Sequence, residues 1–215
     1  MWTDAEIAGR IADDIQDGWT VNLGVGMPTS VAAALEGRRV LVHSENGILG
    51  MGGPPSPGHE DPDLVNAGKG PTTLVPGGAI VDSVVSFMLI RGGRLDLSIM
   101  GAYQVSDGGD LANWRLPGRR VAGIGGAADL AVGARRVWVA MKYFSKNGDC
   151  RIVDACTYPI TARNCVTRVY TDRAVFSRAD DKLVIVACAP GISVDQIIQE
   201  TGCLASATLK DANAE

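Results

Sequence analysis

The sequence predicts an α/β fold: an open, largely parallel sheet flanked by helices, in one domain that spans residues 1–215. Strand-like apolar runs alternate with segments of helical periodicity, which is the pattern of βαβ units. The chain is 46% hydrophobic, so 215 residues can bury a core without disulfides or a structural metal. Glycine supplies 27 residues, about twice its ordinary share, and 18 of them lie within 47–126. We therefore expect the functional site near the middle of the chain.

The first elements are two helices and two strands in alternation. Thr3 and Glu6 have the spacing of a capping box, and isoleucine then recurs every fourth residue, which predicts a helix ending near Gly18. The following segments are predicted as a strand, a helix and a second strand: Trp19–Leu23, Ser30–Leu35 and Arg39–His43.

The middle of the chain contains a long loop and three further elements. From Ser44 to about Gly70 the sequence is rich in glycine and proline, and a loop of that length in a compact domain is usually functional. The segments after it are predicted as a strand, a helix and a strand: Thr72–Val75, Ile80 to about Arg91, and Leu95–Met100. A glycine-rich stretch, Asp107–Trp114, comes next.

The remaining elements complete the alternation. They are predicted as a helix over Ala127–Ala134, strands over Arg136–Met141, Val166–Tyr170 and Leu183–Ala187, and a helix that begins at Ser193 and ends at Gly202. Ligands of such sheets bind at the carboxyl ends of the strands. The site is therefore expected at the turns that begin at Gly24, Glu45 and Gly77.

Composition excludes several classes of partner and location. The net charge of -4 offers no basic stripe for nucleic acid. The first residues are acidic rather than basic, and no apolar run approaches the ~18 residues of a membrane span, so we expect a cytoplasmic protein with no membrane contact. The five cysteines form no C-x-x-C pair and have no histidine at ligand spacing, which predicts reduced thiols and no metal site.

Familiar catalytic motifs are absent from the sequence. The loop that begins Gly24-Val-Gly26 has Thr29 where a dinucleotide fingerprint needs a third glycine, and no glycine loop is followed by Lys-Ser/Thr. No G-x-S-x-G elbow of a serine hydrolase occurs. His43 ends an apolar strand and is predicted to be structural, and His59 lies in an acidic, turn-like segment.

Glu45 is the leading candidate for a catalytic group. It directly follows an apolar strand and precedes Asn46 and Gly47, although a surface glutamate in a βα turn would have the same position. A glutamate is ionised at neutral pH, so it can act as a nucleophile without a general base. It suits an acyl group whose leaving group is a stable thiolate. A backbone loop such as Gly123–Gly126 could then stabilise the oxyanion.

Eight sequence blocks in order resemble the B (beta) subunit of 3-oxoacid CoA-transferases, the group with the acetoacetate, succinyl and 3-oxoadipate enzymes. The match extends from about residue 3 to 205. The blocks are Ser44–Gly52, Asn66–Lys69, Asp82–Phe87, Ile90–Gly93, Asp96–Leu97, Leu111–Trp114, Gly123–Leu130 and Lys146–Gly148. A single block would carry little weight, but eight collinear blocks make coincidence very improbable.

The resemblance implies a CoA-transferase-type fold and a catalytic Glu45. This residue would pass CoA from an acyl-CoA to a carboxylic or 3-oxo acid through a glutamyl-CoA thioester, with ping-pong kinetics. Gly125 and Gly126 match the loop of the oxyanion hole. The residues that match the substrate and CoA cleft are Asn22, Gly24, Gly26, Asn46 and Lys69.

The resemblance also implies a partner, a homologous A (alpha) subunit in an αβ or α2β2 assembly. CoA would be a substrate, and no cofactor would be bound permanently. Two alternatives stay open: a CoA-thioester hydrolase or ring-opening enzyme on the same fold, and a non-catalytic partner subunit. The sequence departs from the family pattern at Arg94, Ala122 and Tyr143, which leaves the acid substrate undetermined.

Overall fold

The computed structural model describes residues 1–118 and 123–204. Its helices are α1 (Asp4–Asp14), α2 (Val31–Ala34, preceded by a 3-10 turn over Met27–Ser30), α3 (Ser83–Arg91), α4 (Ala127–Gly133) and α5 (Val194–Thr201). Its strands are β1 (Thr20–Leu23), β2 (Leu41–Ser44), β3 (Ile48–Met51), β4 (Leu74–Ile80), β5 (Leu97–Met100), β6 (Gln104–Ser106), β7 (Leu111–Ala112), β8 (Val137–Ala140), β9 (Ile152–Val153), β10 (Val166–Tyr170), β11 (Ala174–Ala179) and β12 (Lys182–Cys188).

A nine-stranded sheet forms the centre of the protein. Its strand order is β12-β11-β10-β8-β5-β1-β2-β3-β4. The five middle strands, from β10 to β2, are parallel, whereas β3 and β4 at one edge and β11 and β12 at the other are antiparallel. A small sheet of order β7-β6-β9 lies apart from it. The predicted α/β fold with a largely parallel, open sheet is thus confirmed.

The core lies on both faces of the large sheet. Successive side chains of a strand point to opposite faces, and in β8 Val137 and Val139 join one buried cluster while Trp138 and Ala140 join the other. The first cluster also takes in buried residues of α3, α4 and α5, and the second takes in those of α1 and α2. The parallel strands are therefore covered by helices on both sides, as a parallel sheet requires.

Several predicted boundaries were wrong, and the largest error is at the start of α3. Ile80 belongs to β4, and the helix begins only at Ser83, because the Asp82 carboxylate accepts a hydrogen bond from the Val85 N–H and caps it. The strand predicted over Thr72–Val75 is instead the seven-residue β4. The first helix ends at Asp14 rather than near Gly18.

The five cysteines of the chain are all free and half-buried. Burial raises the pKa of Cys156 and of Cys165 to about 11, so both thiols stay protonated at neutral pH. Over residues 1–118 and 123–204, no group of three His, Cys, Asp or Glu side chains could hold a metal ion. None of the helices in that part of the chain has the length and hydropathy needed to span a membrane.

Candidate active site

Glu45 lies at the carboxyl edge of the parallel strands. It directly follows β2 and begins the turn to β3, and its side chain is half-buried. The strands β1, β5 and β8 run in the same direction beside β2, so the residues that follow them lie along the same edge. This edge is where ligands of open α/β sheets bind.

The turn after Glu45 requires glycine at position 47. Gly47 has a φ of +117°, and a Cβ built on it would clash with the carbonyl oxygen of Val81. Its backbone is also fixed, since Gly47 N donates to Ser44 O over 2.9 Å and Gly47 O accepts from Val81 N over 2.9 Å. The turn that presents Glu45 is therefore held tightly against the segment that leads into α3.

A chain of hydrogen bonds fixes Glu45 at its carboxylate and at its backbone. The Nδ2 of Asn22, on β1, donates to Glu45 Oε2 over 3.1 Å. The same Nδ2 is 3.3 Å from His43 Nδ1, and His43 Nε2 is 3.0 Å from Ser86 Oγ. Ser86, on α3, donates to the backbone oxygen of Glu45 over 2.9 Å. Since Ser86 spends its proton on that oxygen, His43 must donate from Nε2 and accept at Nδ1.

His43 is fully buried, and burial lowers its pKa from 6.5 to about 4. The unfolded chain therefore binds a proton between pH 6.5 and 4 that the folded chain does not. We expect His43 to stabilise the fold fully above pH 6.5 and to lose up to about 3 kcal/mol of that contribution as the pH falls towards 4. Urea unfolding of wild type and His43→Gln across this range measures the difference. Equal pH slopes in the two proteins would contradict the expectation.

The glycine loop before α4 approaches Glu45 closely. A Cβ built on Gly126 would lie 3.7 Å from Glu45 Cγ and 3.0 Å from Phe87 Cζ. Gly125, beside it, has a φ of +57°. The absence of side chains at these two positions leaves the backbone free to face the carboxylate, which is the arrangement that an oxyanion hole needs.

A cleft of about 650 Å³ runs along this edge of the sheet. Its walls come from the residues that follow the four parallel strands and from the glycine loop, among them Gly24, Glu45, Gly101, Met141, Gly125 and Gly126. This volume is typical of a small-molecule site. Because much of the lining is backbone and small side chains, a ligand can lie close to the strand ends.

The other predicted site residues have different positions. Gly24 lines the cleft, and Asn22 lies against Glu45. Gly26, Asn46 and Lys69 are exposed and are not among the residues that line the cleft in the described part of the chain. Asn46 instead donates to Val65 O over 2.7 Å. The structure therefore brings together Glu45, Asn22, Gly24, Gly125 and Gly126, and it does not place the other three there.

Sequence reasoning missed Ser86 and treated His43 as structural only. Ser86 is fully buried on α3, whose neighbouring residues are almost all apolar. A buried hydroxyl in such a helix needs a partner, and this was the signal that could have identified it.

The three departures from the family pattern lie away from Glu45 or outside the described residues. Arg94 is exposed and precedes β5, so it lies at the opposite edge of the sheet. Tyr143 is fully buried in the core, where burial raises the pKa of its hydroxyl. Ala122 lies outside the residues that the structure describes. Neither Arg94 nor Tyr143 therefore contacts the Glu45 turn.

Comparisons with known proteins agree with this site. A family model described as Coenzyme A transferase matches residues 5–200. The B (beta) subunit of the 3-oxoadipate CoA-transferase of Pseudomonas putida is 48% identical over 198 residues, which cover 92% of this chain and 93% of the relative. The corresponding subunit of the probable succinyl-CoA:3-ketoacid coenzyme A transferase of Bacillus subtilis is 44% identical over 89% of both chains.

A solved structure with the same fold is the acyl-CoA transferase of Escherichia coli O157:H7 in a thioester complex with CoA. The two share a TM-score of 0.76 at 18% identity, over 98% of this chain and 43% of that one. The chain therefore spans less than half of that longer protein. At this identity the likeness shows the fold alone.

Proposed function

The chain belongs to the coenzyme A transferase family, and from this premise we propose that it is the beta subunit of a CoA-transferase with Glu45 as its nucleophile. The family membership makes it an enzyme that uses CoA as a substrate. The residue assignment, the covalent route and the partner subunit are the parts that we propose.

The observation that carries the proposal is the setting of Glu45. A half-buried carboxylate lies in a cleft at the strand ends, receives a hydrogen bond from Asn22, and faces the backbone of Gly126. Neither Asn22 nor the glycine loop is a base that could take a proton from water or from a hydroxyl nucleophile. A carboxylate that attacks directly needs no such base.

The reaction would proceed in two exchange steps at Glu45. The carboxylate attacks the thioester carbonyl of an acyl-CoA, the C–S bond breaks, and CoA thiolate leaves an acyl-glutamyl anhydride. The thiolate then attacks the glutamyl carbonyl and releases the first acid, which gives a glutamyl-CoA thioester. A second carboxylate reverses both steps. No net proton transfer is required, and backbone N–H groups at Gly125 and Gly126 would stabilise each oxyanion.

The anhydride is higher in energy than the thioester, so binding energy from the rest of CoA must stabilise the reacting centre. The names of the relatives suggest an acyl donor such as succinyl-CoA and a 3-oxo acid or another carboxylic acid as acceptor. The same names describe one of two lettered subunits, which supports a homologous A (alpha) subunit as partner, in an αβ or α2β2 assembly. No permanently bound cofactor enters this chemistry.

The test is a transfer assay on the chain co-produced with its alpha subunit. We expect acyl-CoA and a panel of acids to give parallel double-reciprocal lines, because the first product leaves before the second acid binds. A transferase releases no more than one equivalent of free CoA per site when no acceptor is present. Continued release of free CoA would favour a thioester hydrolase instead.

A further inference from the structure

A second cavity of about 680 Å³ adjoins the Glu45 cleft. Three residues, Tyr103, Trp114 and Arg151, line both cavities. The second cavity is further lined by the hairpin 145–150 and by the ring of Tyr158. The two spaces therefore form one path that starts at Glu45 and continues past Arg151.

The strand order gives the length of this path. Glu45 follows β2, and Met141 and Lys142 follow β8, which is three strands away through β1 and β5. Neighbouring strands lie about 4.8 Å apart, so the path from Glu45 to the end of β8 covers about 14 Å. Arg151 lies beyond that point, because its backbone N–H donates to Tyr143 O.

The far end of the path carries a free positive charge. Two cations line the Glu45 cleft, and one of them, Lys142, forms an ion pair with Asp4 over 2.6 Å. Arg151 forms no ion pair with any residue that the structure describes, and its Nη1 donates only to Ala102 O over 3.3 Å. In the second cavity Lys146 adds a positive charge and Asp149 a negative one.

Two sequence blocks that the chemistry at Glu45 does not use lie here. Leu111–Trp114 supplies Trp114, and Lys146–Gly148 supplies Lys146 and Asn147 to the lining. Both blocks are among the eight by which the sequence resembles its family. A role in binding a substrate shared by that family would explain their presence at a distance from the nucleophile.

We propose that the second cavity binds the nucleotide end of CoA, with Arg151 and Lys146 at its phosphates and Trp114 and Tyr158 beside its adenine. This inference rests on the proposed function. The pantetheine arm between sulfur and phosphate has about 13 bonds and reaches about 16 Å when extended, which matches the path. A six-carbon dicarboxylic acid attached to Glu45 spans only about 7 Å and could not bring its distal carboxylate to Arg151.

Binding of desulfo-CoA to the assembled enzyme tests the site without any covalent step. We expect Arg151→Gln and Lys146→Gln each to raise its Kd by about tenfold or more, since each loses a charge-assisted contact to phosphate. Arg39→Gln is the matched control, because Arg39 is 87% exposed and pairs with Asp17 outside both cavities. Lys146 is exposed, so its replacement keeps the test valid if Arg151→Gln folds poorly.

Three outcomes decide the matter. An unchanged Kd in both cavity variants overturns the proposal. Unchanged desulfo-CoA binding with weaker use of dicarboxylic acids than of monocarboxylic acids also overturns it, in favour of a carboxylate site. Acyl-pantetheine thioesters, which lack the nucleotide, should be used equally well by wild type and variants. If transfer activity is absent but desulfo-CoA binding still depends on Arg151, the proposed function fails while the binding site stands.

Discussion

Glu45→Ala is expected to lower kcat of the assembled enzyme by at least about 10⁴-fold, as loss of a covalent nucleophile does in other enzymes. With the carboxylate removed, neither the anhydride nor the glutamyl-CoA thioester can form. Wild type incubated with acyl-CoA should show a CoA adduct on the peptide that contains Glu45, and the variant should show none. Mass spectrometry of the digested complex measures both.

Two further variants make this result specific. Glu36→Ala removes an exposed glutamate elsewhere on the chain and should leave kcat and the adduct unchanged. Glu45→Asp keeps the charge but withdraws the nucleophile by one methylene, so it should also be severely impaired. Normal transfer by Glu45→Ala would disprove the nucleophile and favour a non-catalytic role for this subunit.

Gly47→Ala should abolish activity and destabilise the protein by about 3 kcal/mol or more. The substitution places a Cβ against the carbonyl of Val81 and holds a non-glycine residue at a φ of +117°. Both costs arise in the turn that presents Glu45, and relief requires the turn to move away from α3. Urea unfolding and the transfer assay measure the two effects.

Gly53→Ala is the matched control for this change. Gly53 lies six residues further along the same loop, and no atom lies within 4 Å of a Cβ built on it. We expect wild-type stability and activity. If Gly47→Ala behaved in the same way as Gly53→Ala, the tight packing of the turn would have no part in positioning Glu45.

The parallel strands could be predicted from the sequence because their signal is local. β10 was predicted with its observed bounds, and β5 and β8 were each longer by one or two residues at their ends. These strands are buried on both faces, so they are short apolar runs with polar or glycine residues around them. Each run therefore identifies itself without reference to its neighbours.

The antiparallel strands at the sheet edge could not be predicted in the same way. β3 and β4 lie in or next to a segment rich in glycine and proline, and Pro76 and Gly77 stand in the middle of β4. Their strand conformation depends on pairing with each other and with β2. Such pairing is a tertiary property, and local propensity opposes it.

The candidate site shows the same division. Glu45 could be identified because it directly follows an apolar strand, and Gly126 because it lies in a glycine loop before a helix. The hydrogen bonds of Ser86 could not be predicted, since they join residues 41 and 43 positions apart in the chain. The second cavity also depends on distant segments, because Trp114 and Arg151 meet only in the folded protein.

The residues that orient Glu45 are also residues of the central sheet. Asn22 and His43 are fully buried on the adjacent strands β1 and β2. A change at either position therefore alters folding and chemistry together, whereas the walls of the cleft can vary independently. Divergence towards new acids should accordingly proceed through wall residues while the orientation of the nucleophile is inherited with the fold.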